Sequence, residues 1–288
     1  MGNRRSFIGV SAATIFGVLP VRSSLENWSK VSPHDSIIGQ LLPGEIHELY
    51  PTTDPAAVRA VVGAAHTQFD RVKELVDARP ELAKATWDWG FGDVESALGA
   101  ASHMGRKDIA EYLIEMGARP NIFTFAMLGK LDAVKSMIEA MPGIQKIHGP
   151  HGFTLLFHAQ IRLRRKNVQG PEKAKQEELV NYLKELGDAD IPDPSLDITP
   201  EEQKVYLGKY SFGESPNDLF EITLNSRGQL FMKRGNYTGR ALLRRDTHTF
   251  APGGAPSVRI KFEVVNGSAT NVTVLDPAPI VRAERISS

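Results

Sequence analysis

Histidine and glutamate are the side chains in this sequence with the most chemistry to offer. His103, His148, His151 and His158 all fall in its central part, with Glu95 and Asp88 close to the first of them. His148-Gly-Pro-His151 separates two rings by two residues, and one loop could aim both at a single ion. A zinc site needs three or four converging nitrogen, oxygen or sulfur ligands. No His-Glu-x-x-His pair supplies two of them from one helix face, and the histidines belong to different segments. A histidine at a helix turn commonly hydrogen-bonds the carbonyls of the next loop instead. The expectation is therefore no catalytic residue, no metal and no cofactor. A metal-dependent or hydrolytic enzyme using His103, His148, His151, His158 and Glu95 stands as the alternative. A Gly-x-Ser-x-Gly elbow, a Ser-x-x-Lys pair and a Walker A loop are all absent.

The elements that must position these residues read as short helix pairs. The stretch 94–121 predicts two helices joined by a Gly-Arg-Lys turn. In the second, Ile109, Tyr112, Leu113 and Met116 follow the i, i+3, i+4, i+7 spacing of one apolar stripe. Ala100 and Ala101 are small enough to let two helices approach closely, and Gly117 stands where the helix must stop. A hairpin this small cannot bury its stripe alone and must stack on copies of itself. Copies are present: Thr67-Gln-Phe-Asp70, Gly105-Arg-Lys-Asp108 and Gly129-Lys-Leu-Asp132 each precede an apolar stripe, and a weaker one lies at 178–187. These turns, the exit Gly117-Ala-Arg-Pro-Asn121 and the opening Gly152-Phe-Thr154-Leu-Leu156 resemble the ankyrin repeat over about residues 55–190. Their spacing is less regular than that family's repeat of about 33 residues. The resemblance implies an α-solenoid that binds a protein partner.

Helices are expected at 57–66 and 69–78, at 122–128 and 133–141, and at 154–161 and 176–186, with Pro55 opening the first where a missing N–H costs nothing. Between the first two pairs, Thr86-Trp-Asp-Trp-Gly-Phe-Gly-Asp93 occupies the place of the projecting finger of an ankyrin array. Its three aromatics offer large contact area, although one tryptophan is expected to fold back over the helices. His148 and His151 lie in a later finger position. The residues expected to contact a partner are Trp87, Asp88, Trp89, Phe91, His103, His148 and His151. The basic cluster Arg162-Leu-Arg-Arg-Lys166, within an insertion running to Lys175, reads as a solvated loop.

After an Asp/Pro-rich linker at 191–200 the apolar period changes from 3.6 to 2. Residues 201–205 predict a helical turn, and strands follow from Tyr206 to Tyr210, at 220–224 and at 229–233. The clearest is 258–264, ending in the hairpin pair Asn266-Gly267 ahead of 271–275. A closing strand fits 279–286. Seven or so antiparallel strands suggest a small barrel or rolled sheet over 201–288. Tyr206-x-Gly208-x-Tyr210 and the strand order resemble the small β-domain that trails secreted hydrolases of the penicillin-binding type. A small barrel is more often filled by its own side chains than by a ligand, so an apolar-ligand carrier is a further alternative.

Near the start, Asn3-Arg-Arg-Ser-Phe-Ile-Gly9 and the mildly apolar run 10–21 resemble a twin-arginine export signal over residues 1–24. That run is too short to span a bilayer. The resemblance implies a folded protein shipped to the periplasm or beyond, and residues 25–54 read as an extended tether. Lys plus Arg and Asp plus Glu both number 34, for a net charge of zero, which argues against a nucleic-acid binder. With no cysteine, apolar burial alone must hold the fold. The sequence therefore describes a multidomain α+β chain: a monomer, without a membrane span after signal removal, that serves as a non-enzymatic scaffold for a protein partner.

Overall fold

The computed structural model describes residues 51–235, 237 and 239–286. The expected export signal and all but the last residues of the tether lie outside the described residues. What is described belongs to one compact unit, helical at first and then a barrel.

Helix α1 (Pro55–Ala64) begins on a cap, Asp54, whose carboxylate accepts from the Ala56 N–H, with Pro55 at the first helical position. It pairs with α2 (Phe69–Ala78). A hairpin of β1 (Thr86–Asp88) and β2 (Val94–Ser96) follows, with Trp87 opposite Glu95. Three further pairs follow: α3 (Ala97–His103) with α4 (Lys107–Glu115), α5 (Ile122–Met127) with α6 (Leu131–Ala140), and α7 (Leu155–Leu163) with α8 (Gly170–Leu186). Ser96, Asn121 and Thr154 cap α3, α5 and α7 in the same way, each side chain accepting from the N–H three residues on. Such caps satisfy donors that the first turn leaves free.

Each pair packs internally, and α1, α3, α5 and α7 pack one upon the next. Ala100 and Ala101 are wholly buried at this contact, and Ile109 and Leu113 are the buried centre of the expected stripe. Gly117 adopts φ +94° just past α4.

Two expectations change. The charged insertion is a solvated loop only in part: Arg164, Lys166 and Lys175 are exposed, but Arg162 and Arg165 are engaged and the segment from Gly170 is helical. Arg162 is buried and donates from Nη2 to Glu172 Oε1 at 2.9 Å and from Nη1 toward the Gly105 carbonyl at 3.4 Å. Arg165 donates to the Met104 carbonyl. Glu172 lies in the first turn of α8, which starts six residues before the expected 176, so the basic run ties the fourth pair to the second. Gln176 is a second tie. Its buried Nε2 donates to the carbonyls of Ala126 and Ala159, both at 2.8 Å.

After α9 (Pro200–Lys204), closed by a Thr199/Glu202 capping box, the chain winds into eight antiparallel strands: β3 (Gly208–Ser211), β4 (Leu219–Leu224), β5 (Leu230–Arg234), β6 (Arg240–Asp246), β7 (Thr249–Pro252), β8 (Arg259–Val265), β9 (Ser268–Leu275) and β10 (Pro279–Ile286). Neighbours in sequence pair, and β10 also pairs with β3, so the barrel closes. Closure removes every free edge. The expected Asn266-Gly267 turn joins β8 and β9 with both residues at positive φ. The interior is packed with Tyr210, Phe250, Phe262 and Ile222, as expected for eight strands. β6 and β7 had no counterpart in the sequence reading. Arg240-Ala-Leu-Leu-Arg-Arg-Asp246 does not alternate, and Thr249–Pro252 is four residues ending in proline.

Gln176→Ala would remove the two hydrogen bonds that its buried Nε2 gives to the Ala126 and Ala159 carbonyls, each worth about 0.5–1.5 kcal/mol net. Urea denaturation should show a loss of about 1–3 kcal/mol, whereas Lys175→Ala, exposed one residue away, should change stability little.

Candidate metal centre

β2 and the residue before it carry acids where a strand usually carries apolar residues. Along Asp93-Val94-Glu95, Asp93 and Glu95 are buried at 4% and 0% exposure, while Val94 is 54% exposed. Side chains two apart on a strand share a face, so two carboxylates point inward together. Burying such charges is costly unless they are paired, and the fold gathers partners for both.

Three imidazoles present Nε2 to the Glu95 carboxylate: His103 to Oε1 at 2.8 Å, and His151 and His66 to Oε2 at 3.4 and 3.5 Å. Each arrives on a different element. His103 is the last residue of α3, His66 lies in the turn after α1, and His151 comes from the loop ahead of α7. One ligand atom from each of the four residues lies within 4.8 Å of the other three. The tautomers are set from behind. His66 Nδ1 donates to the Val62 and Gly63 carbonyls, both at 3.1 Å, and His151 Nδ1 donates to Asp93 Oδ2 at 2.7 Å. When His66 is neutral, its Nε2 therefore carries the lone pair. His103 Nε2 and Glu95 Oε1 are close but not in hydrogen-bonding geometry, and both are buried without a hydrogen-bond partner. Such a pair of orphans facing each other marks a point that a third body could bridge.

Asp93 is the organiser behind the cluster. Its Oδ1 accepts from the His151 backbone N–H at 2.8 Å, and Arg240 Nη2 stands 2.6 Å from its Oδ2. The first contact helps to hold His151 at φ +61°, an uncommon conformation for a residue with a side chain. Gly254, in the loop after β7, fits against the same point: a Cβ there would meet His151 Cα at 3.0 Å. Trp89 Nε1 donates to Glu95 Oε2 at 2.8 Å.

Burial alone would raise the pKa of Glu95, but His103 and His151 outweigh it and hold the carboxyl well below its ordinary range. Asp93 is likewise lowered, burial being outweighed by His151 and Arg240. Burial would lower His151, yet Asp93 and Glu95 raise it to about 9. For His103 burial prevails and its pKa falls, which favours the neutral ring a metal requires.

The expected site residues thus separate. His103, His151 and Glu95 come together, joined by His66. His148 and His158 do not join them. His148 Nε2 donates to the Ile191 carbonyl at 2.6 Å. His158 is buried, with Nδ1 donating to the Thr154 carbonyl at 2.8 Å, and burial lowers it to about 4. Trp89 is the finger tryptophan that folds back, and Phe91 packs against the barrel core. Trp87 remains half-buried on β1, and Asp88 is exposed, its carboxylate accepting from the Gly90 N–H. His66 escaped the sequence reading, although a signal existed. Ala64-Ala-His66 and Ala101-Ser-His103 end the first helices of consecutive pairs, so stacking must bring their rings to one edge. Comparison with protein-family models, curated proteins and solved structures gives no match to this chain.

His158 stays neutral in the fold down to about pH 4, while the unfolded chain takes up that proton near pH 6.5. Its contribution to stability is complete above pH 6.5 and is lost as pH falls toward 4. The stability advantage of the parent over His158→Gln, read from urea denaturation, should shrink by about 2 kcal/mol between pH 7 and pH 5. A constant difference would contradict the burial argument.

Proposed function

We propose that this protein binds a divalent transition-metal ion through His66, Glu95, His103 and His151. The observation that carries the reading is the convergence of three Nε2 atoms on one buried carboxylate within a 4.8 Å cluster. Two of the rings are fixed from behind by a carbonyl pair and by Asp93. Metal-bound histidines are oriented in this way, and nitrogen-rich sets with one carboxylate suit zinc, iron, nickel or copper more than magnesium or calcium. Four protein ligands complete a tetrahedral shell. The ion is therefore read as a structural fastener, drawing together α1, α3, the finger and the loop ahead of α7.

In this reading the helix pairs are ankyrin-like repeats, supported by their recurring Gly-x-x-Asp turns and by the packing of α1, α3, α5 and α7 one upon the next. The fastened array is a non-enzymatic scaffold for a protein partner. Contact would fall on Trp87 and Asp88 and, at the array's other finger, on His148, since Trp89 and Phe91 are turned inward. The Arg4-Arg5 segment supports export to the periplasm. A second reading, a metal-dependent hydrolase, is favoured by one observation. The cluster reaches solvent through His66 and His151, whose side chains are 26% and 20% exposed, and a water could add there as a fifth ligand.

Protein stripped with a chelator and titrated with zinc by calorimetry should take up one equivalent. Excess zinc at 100 times Kd should add about 2.7 kcal/mol of stability. Glu95→Gln and His103→Gln should abolish uptake. Asp93→Asn should weaken it about 10–100-fold, and His148→Ala should leave it unchanged. Absence of stoichiometric uptake of zinc, iron(II), nickel or copper by the parent would overturn the metal reading. Hydrolysis of activated esters or phosphoesters that depends on added metal would favour the second reading over the first.

A further inference from the structure

Beyond the metal centre, the structure contains a second feature shaped for a ligand. The barrel's interior is filled, but at one end the finger leans over it and leaves a cavity of about 320 Å³. Trp89 and Phe91 of the finger form one wall, and Met232 and Leu242 of the barrel form the facing one. Phe91 reaches it because the tip is bent: Gly90, Phe91 and Gly92 all adopt positive φ, at +111°, +59° and +73°. Tyr237 and Ile280, 60% and 65% exposed, stand at the rim. Apolar side chains left open to water around a concave, mainly apolar space are the usual make-up of a small-molecule pocket.

The polar groups in the wall all lean one way in charge. Arg234 and Arg240 both line the cavity, and among the described lining residues there is no aspartate or glutamate. Arg240 is the more telling. Its side chain is nine-tenths buried, and its Nε has no hydrogen-bond partner. Nη2 lies 2.6 Å from Asp93 Oδ2 and Nη1 lies 3.4 Å from His151 Nδ1. Nε is shielded from solvent, so Nη1, with its long contact to His151, is the donor that a carboxylate would take.

We propose that this cavity binds a small organic acid: an apolar tail or ring seated between the finger and the barrel mouth, with its carboxylate held on the arginine side. The volume lies at the lower end of the ligand-pocket range, which suits a single short chain or one aromatic ring rather than a two-tailed lipid. The inference goes beyond the metal reading and does not rest on it, because none of the four proposed metal ligands lines this cavity. It also differs from a carrier built on the barrel interior, since it places the ligand at the interface that the finger creates.

The test is calorimetric titration of the full chain, with and without zinc, using octanoate, 1-octanol and acetate as probes. Octanoate should bind saturably with one site, at least tenfold more tightly than octanol, and acetate should not bind measurably. Arg240→Gln should erase the preference for octanoate over octanol. Val281→Trp, which fills the cavity from β10, should abolish octanoate binding while retaining the parent's circular dichroism and melting temperature. Failure of the parent to bind octanoate, or equal binding of octanol, overturns the proposal whether or not either variant folds. Octanoate binding that persists in a folded Val281→Trp variant overturns it as well. If the protein takes up no zinc but still shows the octanoate preference, the metal reading fails and this one stands.

Discussion

Two buried carboxylates, Asp93 just ahead of the short strand β2 and Glu95 within it, set the terms for much of this structure. Asp93 and Glu95 face inward and Val94 faces out, the reverse of an ordinary amphipathic strand. A carboxylate taken out of water must be met by charge and hydrogen bonds or it will not stay ionised. The response draws on most of the chain. α1 and α3 contribute imidazoles at their C-terminal ends, the loop ahead of α7 brings His151, the finger supplies the Trp89 indole N–H, and β6 sends in Arg240. Remove the two acids and these contributions lose their common target.

That constraint also explains why helices and barrel make one unit rather than two beads on a linker. Arg240 opens β6 and faces Asp93 at 2.6 Å. The loop after β7 comes so close to His151 that a Cβ on Gly254 would sit 3.0 Å from His151 Cα, tighter than an ordinary contact. The finger tip completes the joint, with Phe91 set among the residues around the barrel core. The same leaning of finger onto barrel that brings Asp93 to Arg240 encloses the cavity between them, so cluster and cavity are two products of one interface.

Farther from the cluster, polar groups serve as ties. Arg162, Arg165 and Gln176 reach across helix pairs to donate to backbone carbonyls of other pairs. In stacked units stability comes from neighbour contacts more than from any single unit, and side chains that span two or three pairs couple units that short apolar stripes hold only locally. Neutral His158, buried against Phe123, belongs to this group rather than to the cluster.

The sequence alone was enough for many local elements, though not for β6, β7 or the start of α8. The start at Pro55, the stripe around Leu113, the stop at Gly117 and the Asn266-Gly267 hairpin are all written within a few residues, because helix and turn energetics are short-range. It also offered His103, His148, His151, His158 and Glu95 as an alternative reactive set beside the expectation of no metal. Only the tertiary structure decided which of them meet. His66 and His151 are 85 positions apart in the numbering, and they converge because stacked pairs bring equivalent helix ends to one edge while a loop from the fourth pair folds back over it. Arg240, 147 positions beyond Asp93, showed no signal at all. It stands in a strand whose arginines break the alternation, and its partner is set by how barrel and finger pack, a long-range contact that no local pattern encodes.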